Sequence, residues 1–374
     1  MRILVVSHFY LAHGGGIERV ADAMCRHLAA QGHHIGWAAS AADDPPESGT
    51  VETIPLPCLN PIEALTGLPM PIPGLRALRR LWRAIGRTDV VAVHDALYFT
   101  SLAAMAIAKM RRKPVILVQH VAEVAFASPA MRGVMAMANR IVTRPMLRAA
   151  DQVVFISDTV RAHFASCRMR RPPLLQLNGV NSELFHPDDN ARAKPDLPQS
   201  ASPLIAFVGR FVEKKGLAII AEVARLRPDA SFALAGAGPI DPSQWQLKNV
   251  HLLGALPPDR IAALLRSADC LLLPSVGEGY PLVIQEAMAV GVPVICGEES
   301  ARADPDASRW LAGVRIDLQD VEGSARRVAE ALDGLKTDAE DREAMSRYAR
   351  ERYSWEAFAT SIANVAEALV RRNR

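Results

Sequence analysis

The sequence predicts an α/β fold made of two doubly wound parallel sheets. Three observations predict it: short apolar runs alternate with helical segments, this alternation starts twice along the chain, and a polar, proline-bearing stretch divides the two series. The runs are rich in valine, isoleucine and leucine and are apolar throughout, as strands buried on both faces are. Because alternating strands and helices build parallel sheets through crossover units, we expect two Rossmann-like domains.

The first domain is predicted to extend over residues 1–185. It opens with a strand at Ile3–Val6, a glycine loop at Gly14–Gly16 and an amphipathic helix from about Ile17 to Gln31. Helical or turn-rich segments then separate further buried strands, which complete one doubly wound unit. These strands are predicted at Ile35–Ala39, Val90–Val93, Val115–Val118 and Gln152–Ile156.

A second domain of the same kind is predicted at residues 200–354, after a linker at residues 186–199. Its strands are predicted at Leu204–Val208, Phe232–Ala235, Val250–Leu253, Cys270–Leu273 and Val292–Cys296. A last helix within residues 355–374 is long enough to pack back onto the first domain. Ligands of open α/β sheets bind at the carboxyl ends of the strands, so we expect the two domains to face a central cleft that holds the active site.

The composition narrows the class of protein. A chain of 374 residues exceeds what one hydrophobic core usually organises, and its apolar fraction of 50% with a charged fraction of 22% is typical of a soluble globular protein. No apolar run approaches the ~20 residues that cross a bilayer, and the N-terminus leads into a strand without the pattern of a secretory signal. We therefore expect a cytoplasmic protein.

Two kinds of partner are not expected. The five cysteines are scattered and never spaced as CxxC, which argues against a disulfide framework and a zinc site. The net charge of +3 comes without a helix-turn-helix, zinc-finger or RNA-binding signature, which argues against nucleic acid.

The most informative segment is Pro274–Gly291, which reads PSVGEGYPLVIQEAMAVG. Glu278 lies in a glycine turn, and Glu286 lies in the second turn of a helix that is predicted to begin near Pro281, since proline suits the first helical position. A helix N-terminus offers free N–H groups and the positive end of the helix dipole to a phosphate. The segment therefore predicts a nucleotide site in which the helix takes the diphosphate and the carboxylates take hydroxyl groups.

A second segment, Phe207–Gly216, places cations after a strand. The strand ends at Gly209, Arg210 follows directly, and Lys215 stands where the next helix is predicted to begin. Cations near a helix N-terminus oppose the helix dipole, which favours a bound anion over a solvated pair.

Together with Ala235–Pro239 (AGAGP), Leu177–Asn181 (LNGVN) and Val154–Ser157 (VFIS), these segments resemble the retaining glycosyltransferases of family 4, also called group 1, which have the GT-B fold. The resemblance covers nearly the whole chain and is most specific from Val208 to Gly297. It depends on the ordered co-occurrence of the motifs rather than on any one of them.

The resemblance implies roles for residues of both domains. Arg210 and Lys215 match the pair that grips the donor diphosphate and stabilises the leaving group. Glu286 matches the carboxylate that holds the ribose, Glu278 matches a residue near the donor sugar, and His120 matches a first-domain histidine close to the transferred sugar. The other implied donor-binding residues are Gly15, Gly16, Gly209, Gly238, Gly279, Tyr280, Pro281 and Leu282.

The resemblance also implies the chemistry. It implies a retaining, metal-independent transfer of a hexosyl unit from a GDP- or UDP-linked sugar, with no cofactor. The acceptor is predicted instead from two basic segments of the first domain, which favour a lipid-linked or glycan acceptor in cell-envelope polysaccharide or glycolipid biosynthesis over a soluble disaccharide synthase. The absence of a DxD element at a strand end agrees with the implied absence of a metal. Such a reaction depends on positioning and on electrostatic stabilisation of the departing diphosphate.

The chain departs from the family pattern in two places. No proline stands shortly before the glycines of Leu11–Gly16, and Tyr280–Pro281 replaces the phenylalanine–glycine of many relatives. Pro281 removes one N–H that could contact the donor.

Two basic segments of the first domain predict peripheral contact with the anionic inner face of the cell membrane. Residues 73–87 place Leu75 and Trp82 at helical spacing among five arginines, and residues 131–148 mix methionines with arginines. A basic amphipathic helix can lie on anionic lipid, where each cation contributes roughly 1 kcal/mol. The alternative is that both helices pack on the core with solvated arginines.

Other interpretations stay open. A sugar-nucleotide epimerase can use the same fold and bind the same donors without an acceptor, and a non-catalytic glycan-binding or scaffold protein can descend from such an enzyme. The joint presence of the cations and the two glutamates favours the transferase. His94 and Asp95 also end a strand, where either a site role or a structural hydrogen bond is consistent with the pattern.

Overall fold

The computed structural model describes residues 1–47, 49–61, 70–122, 129–187, 203–335 and 338–373, the side chains of 129–132 and 373 excepted. Most of the predicted linker at 186–199 lies outside the described residues, as does the side chain of Met131, the first residue of the second basic segment.

A parallel sheet of seven described strands forms the first part of the molecule. Its order is β3-β2-β1-β6-β7-β8-β9, and β4 and β5 form a separate antiparallel pair. The strands are β1 Arg2–Val6, β2 His34–Ser40, β3 Val51–Leu56, β4 Cys58–Leu59, β5 Ile72–Pro73, β6 Val90–His94, β7 Val115–Gln119, β8 Gln152–Phe155 and β9 Leu174–Leu175. The helices are α1 Gly16–Ala30, α2 Leu75–Gly86, α3 Phe99–Met110, α4 Pro129–Ala138, α5 Arg144–Ala149 and α6 Asp158–His163, with a π-helical turn, Asn139–Thr143, between α4 and α5.

A second parallel sheet of six described strands has the order β12-β11-β10-β13-β14-β15. These strands are β10 Leu204–Val208, β11 Ser231–Ala235, β12 Val250–Gly254, β13 Cys270–Leu273, β14 Val294–Gly297 and β15 Leu311–Val314. The helices are α7 Leu217–Leu226, α8 Pro258–Ser267, α9 Leu282–Ala289, α10 Glu298–Ala301, α11 Val321–Gly334, α12 Ala339–Arg352 and α13 Trp355–Asn373. The predicted class, two doubly wound parallel α/β sheets, is confirmed.

The strands that the sequence did not predict lie at or near sheet edges. β3 contains Glu52 and Pro55 and forms one edge of the first sheet, and β15, which contains Gly313, forms one edge of the second. An edge strand has one free side, so it tolerates proline and need not be continuously apolar. The central strands β6 and β7 are buried along their whole length, which is why apolar composition alone located them.

The described residues form two compact units. The first comprises Met1–Ala122, Gly133–Asn178 and the final helix α13, and the second contains Gly179–Ser354. Within the first unit, α13 contacts α1, where the Gln31 amide donates to the Thr360 hydroxyl at 2.9 Å.

The boundary between the two compact units therefore precedes Gly179. The reason is backbone pairing, because Val180 bridges Ser354 and its N–H donates to the carbonyl oxygen of Tyr353 at 2.9 Å. These bonds tie the residues after Asn178 into the second unit.

Candidate active site

The loop after β10 brings two consecutive lysines to the carboxyl end of the second sheet. Lys214 and Lys215 lie in a single 3-10 turn, Glu213–Lys215, which ends at Gly216 with φ 71° before α7 begins. A Cβ on Gly216 would overlap the carbonyl oxygen of Pro274, so only glycine allows the loops after β10 and β13 to meet here. This close approach sets the lysines beside the glutamate loop.

The glycines of the AGAGP segment have a structural reason for their identity. A Cβ on Gly236 would overlap the carbonyl oxygen of Gly209, and a Cβ on Gly238 would overlap that of Phe211. The Phe211 N–H also donates to the carbonyl oxygen of Ala237 at 2.8 Å. Loop packing alone therefore requires glycine at Gly238, and its predicted donor contact stays a prediction.

Glu278 is held between the two lysines. The Lys215 ammonium donates to Glu278 Oε2 at 2.7 Å, and the Lys214 ammonium lies 3.6 Å from Glu278 Oε1. Burial of the carboxylate would raise its pKa, but the charges of Lys215 and Lys214 outweigh burial and hold the pKa of Glu278 below its ordinary value. Glu278 is therefore a charged, mostly buried acceptor of hydrogen bonds.

Arg210 adds a third cation to this end of the sheet. It is exposed, and it forms no ion pair with any other residue that the structure describes. The pKa of Lys214 lies below its ordinary value because its ammonium is desolvated, and nearby Lys215 and Arg210 lower it further. Three cations gathered in one loop, two of them in contact with Glu278, suit a polyanionic ligand such as a diphosphate.

The helix after the glutamate loop, α9, begins at Leu282, with Pro281 as its N-cap rather than its first residue. The predicted start near Pro281 is correct to one residue. Glu286 lies in the second turn of α9, as predicted, and is 4% exposed. The first turn of α9 leaves backbone N–H groups available for an anion.

The side chain of Tyr280, a predicted donor-binding residue, points into the interior of the second unit. Its hydroxyl is hydrogen-bonded to that of Tyr353 at 3.0 Å, and both Tyr353 and Tyr348 donate to Asp304. A donor contact at this position would come from the backbone of Tyr280, because the phenol is 3% exposed and already bonded.

In the first unit, polar side chains collect where β1, β6 and β7 end. His94 Nδ1 and His120 Nε2 are 2.9 Å apart, and both rings are buried. Burial lowers the pKa of His94 to about 3 and that of His120 well below its ordinary value, so both rings are neutral near pH 7. His120 is thus placed by a hydrogen bond to His94.

Asp95 has the left-handed φ of 61°, which is uncommon for a residue other than glycine. Its Oδ1 accepts hydrogen bonds from the Ala96 N–H at 2.9 Å and from the Gln119 amide at 2.7 Å. Burial raises the pKa of Asp95 to about 6. A strained, buried carboxyl at a strand end is a frequent mark of a functional site.

The glycine loop before α1 is packed against a buried contact between His8 and Glu18 that sequence analysis missed. His8 Nε2 lies 2.9 Å from Glu18 Oε1, and both side chains are buried. A Cβ on Gly15 would overlap the Glu18 carboxylate, which explains the glycine, and Gly16 is the first residue of α1. The signal that could have found the pair is a polar residue directly after a buried strand, in line with His94 and His120.

The two basic segments expose part of their apolar surface. On α2, Leu75 is 76% and Trp82 is 43% exposed, and Arg111 lies over the Trp82 ring at 4.8 Å. The buried face of α2 is formed by Ala77, Leu81 and Ile85. Around the π-helical turn, Val134, Met137 and Ile141 are more than half exposed.

Within the described ranges, no group of three or more histidine, cysteine, aspartate or glutamate side chains could hold a metal ion. No helix in the described part of the chain is long and apolar enough to span a bilayer.

Comparison with known families agrees with the motifs. A model of the "Glycosyl transferases group 1" family matches residues 189–352, and one of "Glycosyltransferase Family 4" matches residues 14–184. The chain belongs to these glycosyltransferases. This confirms the family resemblance that the segments Phe207–Gly216 and Pro274–Gly291 indicated.

The chain matches curated relatives over only part of their length. The sulfoquinovosyl transferase SQD2 of Arabidopsis thaliana is 27% identical over 70% of the chain and 53% of the relative. The GDP-mannose-dependent monoacylated alpha-(1-6)-phosphatidylinositol monomannoside mannosyltransferase of Corynebacterium glutamicum is 26% identical over 58% of the chain and 62% of the relative. The chain spans little more than half the length of the curated relatives it matches.

Among solved structures, sucrose-phosphate synthase from Thermosynechococcus elongatus superposes with a TM-score of 0.76 at 21% identity, covering 100% of both chains. The glycosyltransferase therefore has the GT-B fold, as the resemblance implied.

Proposed function

We propose that this protein is a retaining, metal-independent glycosyltransferase that moves a hexosyl unit from a GDP- or UDP-linked sugar to a lipid-linked or glycan acceptor in cell-envelope polysaccharide or glycolipid biosynthesis. One observation carries the proposal: Arg210, Lys214 and Lys215 lie together in the loop after β10, where both lysines contact Glu278. The family to which the chain belongs makes transfer from a nucleotide sugar the expected use of that cluster.

The donor diphosphate supplies the anion that this cluster lacks. Cleavage of the bond between the sugar and the phosphate leaves a negative charge on the diphosphate, and preorganised cations stabilise that charge as it develops. Arg210 is exposed and able to reach a ligand, whereas Lys215 is bound to Glu278 and must turn to reach one. Glu286, buried in α9, is the proposed partner of the ribose hydroxyls.

In the first unit, His120 is the proposed contact of the transferred sugar. A neutral imidazole can exchange hydrogen bonds with sugar hydroxyls without adding charge beside a developing oxocarbenium ion. Its bond to His94 fixes the ring, and both rings stay neutral across the physiological range. Retention by front-face attack would then use a donor phosphate oxygen to accept the acceptor's proton.

We further propose that the exposed apolar residues of α2 and of the π-helical turn rest on an anionic membrane surface. Leu75, Trp82 and Ile141 are large hydrophobic side chains that face solvent beside arginines. One relative acts on a phosphatidylinositol mannoside according to its name, which supports a lipid acceptor.

Calorimetric binding of GDP, UDP and ADP in EDTA tests the donor site. We expect one nucleotide to bind without metal and Glu286→Ala and Arg210→Ala each to weaken it by about tenfold or more. Arg225→Ala removes another exposed arginine of the second unit as a matched control and should bind normally.

Binding with unchanged affinity in both site variants would reject the site, and failure of all three nucleotides to bind the native chain would favour a scaffold protein. If binding holds, NMR of the donor alone distinguishes the epimerase alternative, which would interconvert the sugar without an acceptor. The anomeric configuration of a transfer product would decide whether the reaction is retaining.

A further inference from the structure

We propose that Lys214 is a positioning residue that holds Glu278 in place when Lys215 turns from Glu278 to the donor diphosphate. The inference rests on the proposed donor site and adds one residue to it. Arg210, Lys215, Glu278 and Glu286 were already implied by the family pattern, whereas Lys214 was not.

The geometry assigns one lysine to each oxygen of the carboxylate. Lys215 donates to Oε2 at 2.7 Å, and Lys214 lies 3.6 Å from Oε1 on the other side of the group. The backbone fixes this arrangement, since the Val276 N–H donates to the Lys214 carbonyl oxygen at 2.9 Å. This bond holds the backbone of Lys214 beside the loop that carries Glu278, which keeps the ammonium within reach of the carboxylate.

The two lysines differ in exposure, which separates their roles. The side chain of Lys215 is 13% exposed and that of Lys214 is 35% exposed. The contact of Lys215 with Glu278 is therefore the better shielded from solvent, and it is also the shorter of the two. When a diphosphate arrives, it competes with Glu278 for Lys215. Without a second cation, Glu278 would then face the phosphate charge with its main partner withdrawn.

Lys214 is the group that can prevent this repulsion. Charged groups near Glu278 come from two segments. Arg210, Lys214 and Lys215 lie in the loop after β10, and Glu299 lies in α10, where its carboxylate accepts the Gly277 N–H at 3.3 Å. Glu299 adds negative charge, and Arg210 is exposed towards solvent. Lys214 is thus the cation that remains on the carboxylate during the exchange.

A double-mutant cycle on nucleoside diphosphate binding tests the inference. We expect Lys214→Met to weaken binding of GDP or UDP, whichever the native chain takes, by about tenfold, and Lys214→Arg to keep it within about threefold. In the Glu278→Gln background the carboxylate has no charge to hold, so Lys214→Met should then cost about twofold or less.

The pH dependence supplies a readout that a merely structural role would not move. Loss of Lys214 raises the pKa of Glu278. Nucleotide binding by Lys214→Met should therefore change at a higher pH than nucleotide binding by the native chain does. The pKa of Lys214 is lowered, so Lys214→Arg, which does not titrate, should extend binding to higher pH.

The outcomes separate this inference from the proposed function. If the native chain binds no nucleotide, both fail. If it binds and Lys214→Met binds as tightly, or loses the same factor with and without Glu278→Gln, Lys214 has no positioning role while the donor site stands. Thermal unfolding of each variant, with Lys214→Gln as a second replacement, excludes misfolding as the cause.

Discussion

At the scale of single residues, Asp95 is a buried carboxyl whose ionised form costs the protein stability. The carboxyl has a pKa of about 6, so it costs stability once the pH rises above the ordinary pKa of aspartate, and the cost is complete above about pH 6. A carboxyl whose pKa is raised by burial avoids this cost only while it is protonated.

Asp95→Asn is therefore expected to stabilise the protein more at high pH than at low pH. Asparagine Oδ1 can still accept from the Ala96 N–H and the Gln119 amide, so the change removes the charge and keeps these two hydrogen bonds. Unfolding in urea should show a gain of up to about 3 kcal/mol near pH 8 and little gain near pH 4.5. The exposed Asp333→Asn is the control, and an equal change at both pH values would contradict the prediction.

At the scale of elements, the second unit depends on close contact between the loops that follow neighbouring strands. The loop after β11 meets the loop after β10 through Gly236, and the loop after β13 meets it through Gly216. β10 lies between β11 and β13 in the sheet, so its loop is the centre of the candidate site. The positions of Arg210 and the lysines follow from this order.

Gly236→Ala is expected to disrupt the loops that carry the cations. The new Cβ would overlap the carbonyl oxygen of Gly209, a backbone atom that cannot turn aside, so a loss of stability of about 3 kcal/mol or more should accompany loss of nucleotide binding. Gly254→Ala is a matched control with φ 67° and no atom within 4 Å, and should cost about 1–2 kcal/mol from backbone strain alone. Thermal unfolding and calorimetry of both variants measure the difference, and equal losses would refute the role of loop contact.

At the scale of the whole molecule, the proposed membrane contact is a property of surface charge and exposed apolar area acting together. α2 presents Arg76, Arg79 and Arg83 beside the exposed Leu75 and Trp82. Apolar side chains enter the interface while arginines attract anionic headgroups. Neither feature alone would hold the protein on a bilayer.

Replacing Arg76, Arg79 and Arg83 together with glutamine should reduce co-sedimentation with phosphatidylglycerol vesicles by at least about tenfold, since each cation contributes roughly 1 kcal/mol. Binding to phosphatidylcholine vesicles should be weak for every variant. The control replaces Arg302, Arg326 and Arg347, three exposed arginines of the second unit, and changes the net charge equally. Equal losses in both triple variants would mean that net charge, not α2, attracts the vesicles.

The sequence by itself determined the fold class and the residues of the candidate nucleotide-binding segments. Central parallel strands are apolar throughout, so β1, β6, β7, β10 and β13 could be predicted from composition, and Arg210, Lys215, Glu278 and Glu286 from short motifs. These signals are local, because each depends on residues that are neighbours along the chain.

The tertiary structure decided which of these residues meet. Lys215 and Glu278 are 63 positions apart, and His94 and His120 are 26 apart, so their bonds exist only because the sheet order places their loops side by side. The Tyr280 side chain points inward for the same reason, because its hydrogen-bond partner Tyr353 comes from the distant end of α12. Periodicity reports which face of an element is buried, whereas strand order, which sequence patterns do not encode locally, sets the neighbours of every loop.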